Sequence, residues 1–352
     1  MTITTTDTPA PATHRAQPSG SAKTSHRSST ASEPSAGEVV LAALRKQTKT
    51  LRKAEPKVRD NEPKAVTQMR VATRQLRSTL RGFSRILDPS ATRPLNAELA
   101  WLGRQLGEEN DTHATIKELR RQYEALPEEL IVGPVVNEAR RELDQLVAHA
   151  THATQATLDS PRYTALLHTL DQLLADPPLT ERASRPASQE LPKNVAKALR
   201  RLDRRLASAQ AQPAGPQRDQ ALHEARKADK QLRHVTEIAA PVIGKPARRL
   251  ARQAKELQAL LGDYQDAVVT RPIVHQLAAA AAADGRPVST YYLVDALEQV
   301  RTDRALHALP KRLNNLHRKA AWLPTTNHQD HQRPQPETDA DTSQPAPAGP
   351  RR

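Results

Sequence analysis

The chain has 352 residues, of which 53 are Lys or Arg and 39 are Asp or Glu, so its formal net charge is +14. It contains no cysteine, which excludes disulfide frameworks, thiolate nucleophiles and cysteine-ligated metal clusters. No stretch approaches the roughly 18 consecutive apolar residues of a transmembrane helix, and the first residues lack the basic and apolar regions of a signal peptide. We therefore expect a soluble, cytoplasmic protein of about two to three domains.

Both ends of the chain have the composition of disordered segments. Residues 1–37 are rich in Thr, Ser, Ala and Pro, and residues 325–352 repeat this pattern. Such segments bury too little apolar surface to offset the entropy lost on ordering. The first tail carries three cations and two anions, and the second carries three cations and four anions. The whole positive excess therefore lies in residues 38–324, which we predict to be folded.

Apolar residues in this central part recur at helical spacing. One such series has steps of seven, four, three and four residues: Met69, Leu76, Leu80, Phe83 and Leu87. No stretch alternates with a period of two for long enough to indicate a sheet, so the pattern predicts an all-α protein. A Pro- and Ser-rich linker, residues 177–192, divides the folded part into two halves, residues 38–176 and 193–324.

The two halves resemble each other. Residues 66–77 (VTQMRVATRQLR) match residues 222–233 (LHEARKADKQLR) at an offset of 156, and residues 106–111 (LGEEND) match residues 261–266 (LGDYQD) at an offset of 155. Two separate segments with nearly one offset indicate an internal repeat. We therefore predict a tandem repeat of two four-helix bundles, related by an approximate two-fold axis.

Arginines form a row along the predicted helix of the first repeat. They follow one another at steps of four, three, four and four residues: Arg70, Arg74, Arg77, Arg81 and Arg85. The row is roughly 22 Å long and lies beside the apolar row, not opposite it. Residues 64–87 contain no acid, although each like-charge pair at this spacing costs about 0.2–0.5 kcal/mol. One interpretation is a solvated helix whose arginines border the core; the other is a bound polyanion that relieves the repulsion.

The second half carries a similar row of cations beside apolar residues. It comprises His223, Arg226, Lys227, Lys230 and Arg233. Secondary candidates precede the two rows in the chain: Arg45, Lys49 and Arg52 before the first, and Lys197, Arg200, Arg201 and Arg204 before the second. If consecutive helices are antiparallel, these cations line one groove whose positive potential concentrates anions. Arginine favours phosphate as the anion, because the guanidinium group forms bidentate, charge-assisted hydrogen bonds.

Two kinds of polyanion fit such a groove, nucleic acid and inorganic polyphosphate. Proteins that bind single strands interleave their cations with aromatic stacking platforms, whereas aromatic residues make up only 2% of this chain. No helix-turn-helix spacing for duplex DNA is evident. The composition therefore favours polyphosphate, which offers regularly spaced phosphates without bases, and leaves a nucleoid-type DNA-binding protein as the alternative.

The chain resembles the CHAD family (conserved histidine α-helical domain). The resemblance rests on five segments: VTQMRVATRQLRS at 66–78, LGEEND at 106–111, LHEARKADKQLRH at 222–234, LQALLGDYQDA at 257–267 and LHRKAAW at 316–322. It implies a tandem of four-helix bundles that binds inorganic polyphosphate through a basic surface and associates with polyphosphate granules. It also implies phosphate-contacting positions at Arg70, Arg74, Arg77, His223, Arg226, Lys230 and Arg233.

The sequence departs from the family pattern in two ways. Thr67 stands where the first histidine is expected, so that only His223 of the pair remains, and Asn110 and Gln265 stand where an arginine is usual. These departures put metal chelation by two histidines in doubt, but not phosphate binding by guanidinium and ammonium groups. The Glu-x-Glu-x-Lys signature of an accompanying triphosphatase domain is missing, so the chain resembles a stand-alone member.

The sequence indicates no catalytic, metal or cofactor site. It has no recognisable catalytic triad, Walker loop or dinucleotide fingerprint, and His149 and His152 lie three residues apart without a third ligand. We interpret the glycines of the two Leu-Gly motifs as points of close helix contact or as helix ends. We interpret the acids beside them as helix caps or partners of the arginines: Glu108, Glu109, Asp111, Asp263 and Asp266. We therefore predict a protein that is not an enzyme; a metal-dependent phosphatase acting on phosphate chains is the weaker alternative.

Overall fold

The computed structural model describes residues 33–62, 64–124, 135–283, 285 and 287–324, with the side chains of residues 108–144 left outside that description. Within it the chain forms α-helices and no strand, which confirms the all-α prediction. The helices are α1 (Ala36–Arg59), α2 (Ala65–Gly82), α3 (Pro89–Glu124), α4 (Val135–Asp159), α5 (Pro161–Ala175), α6 (Ala187–Gln210), α7 (Pro216–Ile243), α8 (Lys245–Ala283) and α9 (Ser289–Ala320). The predicted tails lie outside the described residues, apart from residues 33–37.

Local capping sets the start of two helices. Ser35 and Glu38 form a capping box, in which each side chain accepts a hydrogen bond from the backbone N–H of the other residue (3.2 and 2.7 Å). For this reason α1 begins at Ala36, ahead of the boundary expected at residue 38. Ser160 caps α5 and Pro161 occupies its first turn. This break gives the described part of the first half five helices where the length had suggested four.

The predicted linker, residues 177–192, is partly helical. It contains a short 3₁₀ helix, Glu181–Ser184, and the first turn of α6. The side chain of Glu190 is fully buried there and accepts hydrogen bonds from Lys193 Nζ (2.6 Å) and Arg185 Nη1 (3.3 Å). These charged contacts hold the start of α6 against the core, although the Pro- and Ser-rich composition had suggested an irregular segment.

Each amphipathic helix turns its apolar stripe inward. The buried residues of α2 recur every three or four positions: Met69, Ala72, Leu76 and Leu80. Those of α7 include Leu222, Ala225, Leu232, Val235 and Ala239. Packed pairs are α1 with α2, α2 with α3, α6 with α7, α7 with α8, and α8 with α9. In the part of the chain that the structure describes, no helix has the length and apolar character needed to cross a membrane.

Helices α2 and α7, which carry the two basic rows, also touch each other. A Cβ atom at Gly82 would lie 2.5 Å from both Gln231 Nε2 and Val235 Cγ2, so the contact requires a residue without a side chain. Gln231 Nε2 also donates a hydrogen bond to the Ser78 carbonyl across the two helices (2.8 Å). Because Gly82 has no side chain, α2 and α7 can approach closely here, and the two halves of the chain meet at this point.

A histidine adds to the same contact. His234 Nε2 lies 2.9 Å from Thr79 Oγ1, within hydrogen-bonding distance. Burial, with a smaller contribution from the nearby charge of Arg74, lowers the pKa of His234 to about 4. His234 is therefore neutral near pH 7 and adds no charge to the basic surface around it.

Replacing Gly82 by Ala tests this contact. The new methyl group would overlap Val235 Cγ2 and displace Gln231, so we expect the free energy of unfolding to fall by about 1–3 kcal/mol. Urea unfolding followed by circular dichroism measures the change. Gly103→Ala is the control, because the nearest atom to its Cβ, Thr73 Cγ2, is 3.8 Å away and alanine favours a helix. Equal stability of the two variants would contradict the close approach of α2 to α7.

Candidate functional site

The basic row of α2 borders the packed face of the helix, as its spacing predicts. Its members are exposed or half-buried: Arg70, Arg74, Arg77 and Arg81 on α2, and Arg85 in the turn that follows, because α2 ends at Gly82, before the predicted row does. Partial burial of the guanidinium group lowers the pKa of Arg81, and repulsion from Arg77 and Arg201 lowers it further. The row is therefore crowded with like charge and extends toward cations of α6.

Four cations of α2 and α7 form one group, which we call the central cluster: Arg70, Arg74, Arg226 and Lys230. Partial burial lowers the pKa of Lys230 to about 8, and repulsion from the other three cations contributes. Partial burial also lowers the pKa of Arg74, with further contributions from Arg70 and Arg226. Arg70 and Arg74 of α2 thus act on Lys230 of α7, and Arg226 of α7 acts on Arg74 of α2. The fold thus brings together cations that lie about 156 residues apart in the sequence.

Acids do little to offset this positive charge. Among the residues that the structure describes, Arg74, Arg226 and Lys230 form no salt bridge, and the buried Arg226 Nε has no hydrogen-bond partner. The carboxyl group of Asp229 lies close by but is fully buried, and burial raises its pKa well above the usual range, which favours the neutral acid. Three of the four cations of the central cluster are therefore not neutralised by a salt bridge within the described residues.

A glycine lies against one arginine of the central cluster in each half. A Cβ atom at Gly107 of α3 would lie 3.8 Å from Arg70 Nη2, and one at Gly262 of α8 would lie 3.4 Å from Arg226 Nη2. Each Leu-Gly motif thus offers bare helix backbone on which a guanidinium group rests. The two glycines therefore mark close contacts with a neighbouring helix, and each motif follows its arginine at a similar distance, 37 residues in the first half and 36 in the second.

Where their side chains are described, the acids beside the Leu-Gly motifs do not neutralise the basic rows. Glu108, Glu109 and Asp111 lie outside the described side chains. Asp263 and Asp266 are exposed, and within the described part of the chain no salt bridge joins them to a basic row. The expected pairing with arginines is therefore not found at the second motif.

His223 is held by the second Leu-Gly motif. Its Nδ1 atom lies 3.2 Å from Gln265 Oε1 of α8, and since an amide oxygen only accepts hydrogen bonds, Nδ1 carries the proton. In the sequence, Gln265 was notable only as a departure from the family pattern. The structure gives it the role of orienting the imidazole ring of His223.

Three of the cations predicted to bind phosphate are already paired with carboxylates. Lys227 Nζ lies 2.7 Å from Glu224 Oε1, Arg233 Nε lies 2.8 Å from Glu237 Oε1, and Arg52 Nη2 lies 2.6 Å from Asp171 Oδ2. The other two α1 candidates, Arg45 and Lys49, are exposed, and no described contact joins them to the central cluster. These five residues are therefore weaker candidates than the central cluster.

The α6 candidates lie near the end of α2. Together with Arg85, which follows α2, they form what we call the α6 cluster: Arg85, Lys197, Arg200, Arg201 and Arg204. Lys197 Nζ donates a hydrogen bond to Ser84 Oγ (3.2 Å), just beyond α2. Partial burial lowers the pKa of Lys197, and repulsion from the other four members lowers it further. The second row of secondary candidates thus joins the α2 row, as the groove hypothesis requires.

A metal or catalytic constellation is not found in the part of the chain that the structure describes. No group of three or more His, Asp or Glu residues there is arranged to hold a metal ion. His149 and His152 are both exposed on α4, without a described third ligand. Within the described residues, the site thus consists of hydrogen-bond donors and positive charge.

Comparison with known proteins assigns the family. Residues 42–275 match the CHAD domain, so the chain belongs to the CHAD domain family, as its motifs predict. Two curated proteins of Mycobacterium tuberculosis, Uncharacterized protein MT2285 (strain CDC 1551 / Oshkosh) and Uncharacterized protein Rv2226 (strain ATCC 25618 / H37Rv), are 35% identical over 269 residues, or 73% of this chain and 49% of theirs. The chain spans about half the length of these curated relatives.

Two solved structures share the helical fold. PptA from Streptomyces chartreusis has a TM-score of 0.55 and 20% identity, covering 80% of this chain and 99% of that protein. The CHAD domain from the plant Ricinus communis has a TM-score of 0.54 and 22% identity, covering 81% of this chain and 92% of that domain. At these identities the likeness concerns the fold, whereas the two-fold relation of the halves stays a prediction.

Replacing Lys230 by Gln tests the repulsion within the central cluster. Because the pKa of Lys230 falls from 10.5 to about 8 on folding, its charge destabilises the fold below about pH 8, and this cost disappears as the pH rises toward 10.5. We expect Lys230→Gln to raise the free energy of unfolding near neutral pH by about 1 kcal/mol, less than the full pKa change implies, because solvent screens the half-exposed amine.

Urea unfolding of both proteins at several pH values measures this difference. Lys49→Gln, at an exposed position of α1, is the control and should change the stability by no more than about 0.5 kcal/mol. The gain from Lys230→Gln should shrink above pH 8. A gain of constant size across the whole pH range would show that the amine charge is not its cause.

Proposed function

We propose that the central cluster binds inorganic polyphosphate. The observation that carries the proposal is the close grouping of Arg70, Arg74, Arg226 and Lys230, in which Arg74, Arg226 and Lys230 form no salt bridge among the described residues. Such a group lowers the stability of the free protein, and an anionic ligand relieves the repulsion. Membership of the CHAD domain family, together with the phosphate-binding role that the sequence resemblance implies, supports the same ligand.

The geometry suits a chain of phosphates. The guanidinium groups of Arg70 and Arg226 lie beside Gly107 and Gly262, and guanidinium groups form charge-assisted hydrogen bonds to phosphate oxygens. Arg74 is exposed and Lys230 is half-buried, so the cluster has one hydrogen-bond donor group at the surface and another set deeper. The imidazole ring of His223, a further candidate contact, is oriented by the hydrogen bond between its Nδ1 and Gln265 Oε1.

Duplex DNA and single strands are less suitable ligands. Phe83 and Tyr264, the aromatic residues beside the basic rows in the sequence, are buried in the core, so they provide no stacking platform for bases. A ligand without bases needs none. We further propose that the protein is cytoplasmic and lies at polyphosphate granules, in line with the resemblance to the CHAD family.

A double variant, Arg74→Gln with Lys230→Gln, tests the proposal. It removes two cations of the central cluster, so we expect the affinity for long-chain polyphosphate to fall at least about tenfold, and the slope of log affinity against log salt to fall by about 1.5. Isothermal titration at several salt concentrations measures both. Arg45→Gln with Lys49→Gln removes the same charge from α1 and should change the affinity less than about twofold.

A competition experiment separates the two polyanions. Labelled long-chain polyphosphate is bound to the protein at near-physiological salt, and unlabelled duplex DNA or polyphosphate is titrated in at equal phosphate concentration. We expect polyphosphate to displace the label at a much lower concentration than DNA. The reverse order would favour the nucleoid-type alternative, and equal displacement would reduce the site to a non-specific basic surface.

A third test concerns catalysis. We propose that the protein binds polyphosphate without hydrolysing it, because no group of three or more His, Asp or Glu residues among the described residues is arranged to hold a metal ion. Incubation with polyphosphate and Mg²⁺ or Mn²⁺ should release no inorganic phosphate above the rate of a protein-free control. Release that disappears in the Arg74→Gln, Lys230→Gln variant would assign a phosphatase activity to this site.

A further inference from the structure

Helix α9 exposes a group of apolar side chains near its start. Among the described residues, six large apolar side chains are exposed, and four of them lie within residues 292–300. We call these four the α9 patch: Tyr292, Leu293, Leu297 and Val300. Each of them is 41–61% exposed, so no described element covers the group. Exposed apolar residues are usually scattered singly, whereas a contiguous group marks a contact surface for a protein or a membrane.

The α9 patch lies on the side of α9 that faces away from its neighbour. Helix α9 packs chiefly against α8, and hydrogen bonds from Arg271 of α8 to Asp295 (2.8 Å) and Gln299 (2.5 Å) mark the packed side. Leu293 and Leu297 are each two residues from Asp295, which places both about 160° around the helix from it at 3.6 residues per turn. The two leucines therefore point outward, although they contribute nothing to the core.

The same outward side of α9 becomes basic further along the helix. Beyond Val300, steps of four, three and four residues lead to Arg304, His307 and Lys311, and all three are exposed. Within the described part of the chain, no salt bridge joins Arg304 or Lys311 to an acid. One continuous stripe of α9 is thus apolar over its first part and cationic over its second.

Acids beside this stripe are engaged by neighbouring side chains. Glu298 Oε2 lies 2.9 Å from Arg301 Nη1, and Asp303 Oδ1 accepts a hydrogen bond from Gln299 Nε2 (2.9 Å). Asp295 faces α8, where it is bound by Arg271. The stripe therefore offers apolar surface and positive charge, and its nearest carboxylates are partly neutralised.

A second copy of the chain is a poor partner for this stripe. Leu293 and Val300 lie about 10 Å apart along the helix axis, so the α9 patch is much smaller than the roughly 800 Å² that each partner buries in a stable interface. The stripe continues into cations and not into further apolar residues. Each copy also carries a formal charge of +14, and two such copies repel each other.

An anionic lipid surface offers both of the contacts that the stripe requires. Interfacial helices combine leucine and aromatic residues with lysine and arginine, and they bind through apolar insertion together with attraction to anionic head groups. Tyr292 beside Leu293 suits the boundary between the two regions, because its ring is apolar and its hydroxyl group is polar. Charge complementarity therefore favours anionic lipid over a second copy.

We propose that α9 docks the protein reversibly on an anionic phospholipid surface. The α9 patch inserts among the head groups, while Arg304 and Lys311 contact lipid phosphates. The cations of the central cluster lie on α2 and α7, so the two surfaces belong to different helices. The inference goes beyond the proposed function and does not depend on it.

Two double variants test the apolar contact at constant charge. Leu293→Gln with Leu297→Gln removes two leucines of the α9 patch. Leu179→Gln with Val269→Gln removes two exposed apolar residues elsewhere and is the control. Co-sedimentation measures binding to vesicles of phosphatidylcholine alone and to vesicles of equal parts phosphatidylcholine and phosphatidylglycerol. Circular dichroism checks that helix content is unchanged.

The expected loss is specific for the α9 patch. The wild-type protein should bind the mixed vesicles much more tightly than the neutral ones. The α9 variant should lose at least about tenfold in affinity for the mixed vesicles, because two leucine side chains no longer leave water, and the control variant less than about twofold. Since all three proteins have the same charge, attraction between basic residues and lipid cannot account for the difference.

The cationic part of the stripe is tested separately. Arg304→Gln with Lys311→Gln should lower the affinity for the mixed vesicles about fivefold for each cation removed. Lys46→Gln with Lys53→Gln, at exposed positions of α1, removes the same charge and should have an effect of less than about twofold.

A fluorescent variant locates the contact without removing it. Leu297→Trp keeps the α9 patch apolar, so its emission should shift to the blue on addition of mixed vesicles and be quenched by brominated lipid. Val269→Trp, at an exposed position of α8, should show neither change.

Other results overturn the inference in distinguishable ways. Equal binding of the wild type and the Leu293→Gln, Leu297→Gln variant to mixed vesicles would mean that only the overall charge matters, and no binding of the wild type would exclude a lipid surface. A wild-type dimer in analytical ultracentrifugation that this variant abolishes would assign the α9 patch to a second copy. The variant should bind long-chain polyphosphate like the wild type, so failure of the inference leaves the proposed function unaffected.

Discussion

Repulsion between the cations of α2 and α7 is the constraint to which the surrounding structure is fitted. The two helices approach closely at Gly82, and this approach forces Arg74 and Arg226 into one electrostatic environment. Neutral groups make the direct contacts: an amide donates to a carbonyl, and a histidine with a pKa of about 4 meets a hydroxyl. The contact itself therefore adds no charge, and all of the like charge lies along its border.

The apolar core makes this arrangement tolerable. Each like-charge pair at helical spacing costs about 0.2–0.5 kcal/mol, whereas full burial of one leucine-sized side chain contributes about 1.5–3 kcal/mol. Met69, Leu76 and Leu232 are completely buried on the same helices as the basic rows. Their packing outweighs the repulsion several-fold, so the fold does not depend on neutralising the rows. The cost of the charge is local and falls on the side chains of the central cluster.

The features that depend on local sequence pattern could be predicted from the sequence. Helical periodicity predicted the buried series of α2, and the repeated Leu-Gly motif predicted close helix contacts at Gly107 and Gly262. Features that depend on which helices pack together could not be predicted from the sequence. The buried carboxyl of Asp229 occupies the position of Thr73 in the first half, and its neutrality follows from tertiary burial that no single helix reveals. The start of α6 was missed because proline is tolerated in the first turns of a helix.

Burial of Asp229 also clarifies how the site keeps its charge. An ionised carboxylate at this position would pair with Arg226, Lys230 and Arg233, all of which act on its pKa. Desolvation opposes that ionisation more strongly than the three cations favour it, and for this reason the pKa of Asp229 is raised despite their charge. An internal ion pair would stabilise the free protein but would compete with any anionic ligand for the same donors. Keeping the acid in the core and the cations at the surface leaves those donors to a ligand.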